Sequence, residues 1–66
     1  MRLTVNGEER TFEGVTDVAA LVTALGLERR KIAVERNLEI VPRSAYAATA
    51  LAEGDRIEIV HFIGGG

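Results

Sequence analysis

The first seven residues, Met1-Arg2-Leu3-Thr4-Val5-Asn6-Gly7, commit the chain to a β-hairpin. Met1, Leu3 and Val5 alternate with Arg2, Thr4 and Asn6, the period of two that gives a strand one apolar face. Asn6-Gly7 follows at once. Both residues tolerate the positive φ that a tight turn matched to strand twist requires. The returning strand is expected over residues 8 to 12 or 13, with Gly14 breaking it. A two-stranded ribbon is at best marginal in water, so the rest of the chain must cover it. In 66 residues without cysteine that cover cannot be stapled by a disulfide or a thiolate metal site. The common zinc ligand sets fail too, because His61 is the single histidine. Apolar packing remains, and a hydrophobic content of 47% makes it feasible. With no tryptophan, and only Phe12, Tyr46 and Phe62 aromatic, the expected core is aliphatic.

One helix is available to do the covering. Thr16 and Asp17 can cap it, and Val18, Leu21, Val22 and Leu25 then recur at i, i+3, i+4 and i+7, a single apolar stripe on about nine residues. Gly26 suits the left-handed position that ends such a helix, and Leu27 can fold back over it. The basic run Arg29-Arg30-Lys31 is expected to be a solvated helix end. Ile32-Ala33-Val34 resumes extended structure, Glu35-Arg36-Asn37 leads into a turn, and Glu39-Ile40-Val41 makes a short strand. Pro42 lacks a backbone donor and ends the pairing at Val41. Residues 43–50 have room for a short helical turn, Glu53-Gly54-Asp55 for another turn, and residues 56–62 alternate as a last strand. Hairpin, helix, strand, short strand, strand is a two-layer α+β order. With a crossover that sets the first and last strands parallel in the middle, it resembles the β-grasp, ubiquitin-like arrangement: a mixed sheet of four to five strands on one main helix. Residues 1–66 are expected to form one domain, with residues 63–66 as a flexible tail.

Eight basic against ten acidic residues give a formal charge of −2. A nucleic-acid binder needs a strongly basic face, so that class is disfavoured. No apolar stretch approaches the ~20 residues that span a bilayer, so no membrane role is expected. The start turns polar too early for a signal peptide, and a cytoplasmic location is expected.

Gly64-Gly65-Gly66 is the feature a folding argument does not ask for, since glycine loses most backbone freedom on ordering and packs nothing. Alone, such an end reads as a fraying tail or a remnant. Directly after an apolar strand it has a second reading. The four residues beyond Phe62 can reach roughly 13–14 Å, and the three glycines among them, without Cβ atoms, can thread a narrow channel in a partner.

The opening hairpin, the segment Val34-Glu35-Arg36-Asn37-Leu38-Glu39-Ile40-Val41-Pro42-Arg43, the stretch Glu53-Gly54-Asp55-Arg56-Ile57-Glu58-Ile59-Val60 and the ending His61-Phe62-Ile63-Gly64-Gly65-Gly66 resemble the ThiS family. These are the sulfur carriers of thiamine (thiazole) biosynthesis, and the resemblance covers essentially the whole chain. The di-glycine end is shared by the ubiquitin-like superfamily, whereas the middle segment and the Val-His-Phe-Ile-Gly exit point to the thiazole branch. The resemblance implies a carrier, not an enzyme. A ThiF-like adenylyltransferase would activate the Gly66 carboxylate with ATP, a cysteine desulfurase system would supply sulfur, and thiazole synthase, ThiG, would receive it from a thiocarboxylate. Gly64 and Gly65 would thread the partner, and no bound cofactor or metal is implied.

Recognition is expected beside the tail. If Ile57 and Ile59 face the core, alternation turns Glu58, Val60 and Phe62 outward, where with Ile63 they can contact partners. Scattered exposed apolar residues are ordinary, so the same row also reads as chance. His61 is expected at the rim of the last strand, with a partner contact at the tail root as its sharper reading. Glu35, Arg36 and Asn37 read as hairpin residues before contacts. Three other functions share the pattern: the small subunit of molybdopterin synthase, a lysine-conjugated protein modifier, and a module pairing through a sheet edge.

Overall fold

The computed structural model describes residues 1–62, so Ile63, Gly64, Gly65 and Gly66 lie outside the described residues. Strands β1 (Arg2–Val5) and β2 (Glu8–Thr11) form the expected hairpin, with Leu3 opposite Arg10 and Val5 opposite Glu8. Asn6 and Gly7 take φ of 49° and 81°, the positive values that a two-residue turn between twisted strands uses.

Helix α1 (Val18–Ala24) starts where Asp17 accepts a hydrogen bond from the Ala20 N–H at 2.8 Å. Gly26, at φ 70°, ends it. Its N–H donates to the Thr23 carbonyl at 3.0 Å, and the Leu27 N–H donates to the Val22 carbonyl at 3.1 Å. Those two bonds satisfy carbonyls that the helix itself leaves unpaired. The helix is seven residues rather than nine because Asp17 and Leu25 are its caps. The basic run is not its end either. Past the Gly26 reversal, Arg29–Lys31 form a separate 3₁₀ turn, solvated as expected.

β3 (Ile32–Arg36) and β4 (Glu39–Val41) pair antiparallel through Asn37 and Leu38, both at positive φ. Pro42 closes β4 and leads into the 3₁₀ segment Arg43–Ala48. β5 (Arg56–His61) completes a five-stranded sheet in the order β2-β1-β5-β3-β4. β1 and β5 are parallel at its centre and every other pair is antiparallel. This is the β-grasp.

One face of the sheet meets α1 and the Arg43–Ala48 segment. Leu3, Ile57, Val34 and Ile59 from the strands pack there with Val18, Leu21 and Val22 from the helix. Leu25, the fourth residue of the stripe, is only partly buried. Tyr46 is the one aromatic side chain in this buried cluster, so the core is aliphatic as its composition requires. Among the described residues, no helix is long and apolar enough to cross a membrane.

Candidate functional site: the outer sheet face and the tail root

β5 leads the chain to its glycines, and both sides of the strand are held. Five register pairs join it to β3, from Ile32 opposite His61 to Arg36 opposite Ile57, and β1 flanks its start. Ile57 and Ile59 point into the core, which turns Glu58 and Val60 to the opposite face. Val60 is 61% exposed, and Phe62, two residues on, is 50% exposed. The Phe62 N–H donates to the Lys31 carbonyl at 2.8 Å, so backbone bonding continues one residue past the strand.

Two polar clamps fix β5 in place. The Asn6 side chain grips the backbone of Ile59: its Oδ1 accepts from the Ile59 N–H at 2.7 Å and its Nδ2 donates to the Ile59 carbonyl at 3.2 Å. At the other end of the strand the buried Asp55 carboxylate accepts from Arg36 Nε at 2.7 Å, Asn37 Nδ2 at 3.0 Å and the Ala52 N–H at 2.8 Å. Burial alone raises the Asp55 pKa. The bonds from Asn37, Ala52 and Arg36, with the Arg36 charge, outweigh that and hold it below the ordinary carboxylate value. Asn37 also exchanges bonds with Arg56, its N–H donating to the Arg56 carbonyl at 2.8 Å and its Oδ1 accepting from the Arg56 N–H at 2.9 Å. Sequence reading assigned Asn6 to a turn, Asp55 to a turn, and Arg36 and Asn37 to a hairpin. Their second role, joining distant segments, carries no local signal.

The register assembles a wider face than β5 alone supplies. Ile40, Glu35 and Glu58 stand in one row across β4, β3 and β5, and Ala33 stands opposite Val60 in the next. Ile40 is 75% exposed. Of the residues expected to meet partners, Glu58, Val60 and Phe62 therefore share this outer face, and Ile63 lies outside the described residues. Ile40 and Ala33 were not anticipated, and Glu35, read as a hairpin residue before a contact, stands on this face with them. One signal was available: Ile40 and Val41 are adjacent on a strand, so both cannot face the core.

His61 sits at the rim, as expected. Its side of the strand is that of Ile57 and Ile59, but the helix does not cover it there. It lines a cavity of about 250 Å³ with Val5, Arg10, Leu25 and Leu27 among the other walls. Arg10 itself stacks over the Phe12 ring at 5.2 Å. Among the described residues, no three His, Asp or Glu side chains converge as metal ligands.

A sequence profile of the ThiS family matches residues 3–66. The chain belongs to the ThiS family. Within it, the chain is 38% identical over 65 residues to the sulfur carrier protein ThiS of Bacillus subtilis, covering 97% of this chain and 98% of that protein. It is 59% identical over its full length to a thiazole synthase of Paramagnetospirillum magneticum, and 47% identical to one of Magnetococcus marinus. The chain spans about a fifth of the length of those two curated relatives. The fold agrees as closely. A crystal structure of the thiamine biosynthesis protein ThiS from Geobacter metallireducens superposes with a TM-score of 0.85 at 39% identity, covering all of both chains.

Proposed function

We propose that this ThiS-family chain carries sulfur for thiazole formation in thiamine biosynthesis, as a thiocarboxylate at Gly66. The observation that carries the reading is positional. In a chain matched to the family over residues 3–66, the outward row Glu58, Val60 and Phe62 is followed in the sequence, after Ile63, by Gly64-Gly65-Gly66. Recognition surface and reactive end are thus neighbours along the chain.

The chemistry follows from what the chain lacks and what its end provides. Without cysteine it cannot hold sulfur as a persulfide. A carboxylate resists nucleophiles because its carbonyl is electron-rich and oxide is a poor leaving group. An adenylyltransferase of the ThiF kind joins the Gly66 carboxylate to AMP and releases pyrophosphate. A persulfide of a desulfurase system then attacks the acyl carbon and expels AMP, forming an acyl disulfide. A second thiol attacks the sulfur of the desulfurase cysteine in that acyl disulfide, forms a disulfide with it and releases the thiocarboxylate as the leaving group. Thiazole synthase is the acceptor, and the chain is co-substrate of both enzymes rather than a catalyst. The identity to proteins named thiazole synthase supports that pairing.

Incubation with ATP, the adenylating enzyme and a sulfur source should exchange one terminal oxygen for sulfur, read by intact mass. A chain extended by one alanine after Gly66 should fold normally and remain uncharged. Charging of the extended chain, or no charging of a chain ending at Gly66 by an enzyme active on another carrier, overturns the reading.

A further inference from the structure

The Ile40, Glu35, Glu58 row is poorly designed for a free protein. Side chains directly opposite on neighbouring antiparallel strands have Cβ atoms about 4.5–5.5 Å apart, and like charges so placed destabilise the pairing. Glu35 and Glu58 are opposed in this way on the outer face. Among the described residues, neither has an ion-pair partner. Arg36 is engaged by Asp55, and Arg56, on the outer face with Glu58, pairs with neither glutamate. The frame around the pair is equally uneconomical, since Ile40 and Val60 expose 75% and 61% of their surface beside it.

We propose that this face receives a basic surface of thiazole synthase, an arginine entering between Glu35 and Glu58 while apolar side chains around it cover Ile40 and Val60. Charge complementarity selects a cation, and the planar guanidinium fork suits two carboxylates better than an ammonium does. The apolar frame excludes water from the ion pairs and so strengthens them. Thiazole synthase is the occupant because this rests on the reading above, in which the synthase must reach the chain end, and Phe62 on this face stands four residues before Gly66 in the sequence. Relatives at 59% and 47% identity also hold the segment within thiazole synthase chains.

The test is titration of the full chain against thiazole synthase of the source organism at several salt concentrations. The double substitution Glu35→Gln with Glu58→Gln keeps size and removes charge. It should raise the dissociation constant about tenfold or more and flatten its salt dependence. The same variant should melt no lower than wild type, because a repulsion has been removed; a purely structural role predicts the reverse. Glu9→Gln, on the same face of β2, should bind like wild type. Unchanged affinity and salt slope in the double variant overturn the proposal. So does equal weakening by Glu9→Gln, failure of wild type to bind, or weakening toward the adenylating enzyme alone. Intact, charge-dependent binding without thiocarboxylate formation would instead overturn only the sulfur chemistry above.

Discussion

Asp55 shows how much one side chain of a small domain can decide. Its carboxylate joins the loop before β5 to the turn after β3 through Arg36, Asn37 and the Ala52 N–H. Because its pKa is lower in the folded chain than the ordinary value of 3.8, ionised Asp55 stabilises the fold above about pH 4. That contribution is lost as pH falls through the folded pKa. Asp55→Asn should therefore cost about 1–3 kcal/mol at neutral pH, measured by urea unfolding, and flatten the acid limb of stability against pH. An acid limb as steep in the variant as in wild type would assign the loss to other carboxylates. Leu38 is the opposite kind of residue. It holds φ 72° in the β3–β4 turn while 83% exposed, and nothing in the structure explains a leucine there.

At the scale of elements, the opening hairpin is more than a turn between two strands. Asn6 supplies the positive φ and also binds the Ile59 backbone at both its N–H and its carbonyl. Glycine is the better residue for the first role and useless for the second. Asn6→Gly should thus destabilise by about 1 kcal/mol in thermal or urea unfolding, the loss of two side-chain bonds exceeding any backbone relief. A stabilised Asn6→Gly variant would show that the turn alone mattered. β2 contrasts with β1: all four of its residues are exposed, so it serves as an edge while β1 enters the core through Leu3 and Val5.

For the whole molecule, the sheet separates the buried core from the face proposed for recognition across about one side chain's thickness. Ile57 is fully buried and Val60 is 61% exposed on the same strand. Ile57→Ala should cost about 3 kcal/mol, a large share of the roughly 3–10 kcal/mol available to 66 residues. Val60→Lys should change stability by no more than about 1 kcal/mol while weakening thiazole synthase binding at least tenfold, because it sets a cation against a basic surface. Chemical denaturation and titration on the same preparations check both. A Val60→Lys chain that unfolds early would place Val60 in the structural set instead.

The sequence by itself determined every element that local physics specifies: the Asn6-Gly7 turn, the Asp17 cap and Gly26 stop, the end of β4 at Pro42, and the alternation that turns Val60 outward. It also carried the element order from which the β-grasp follows. Helix length, the 3₁₀ turn at Arg29–Lys31, the two clamps and the row Ile40, Glu35, Glu58 were decided only in three dimensions. Strand register and contacts across 50 or more residues, such as Asn6 to Ile59 with a separation of 53, depend on which strands the crossover makes neighbours. Periodicity says which way a side chain faces along its own strand; only the packed sheet says what stands opposite it.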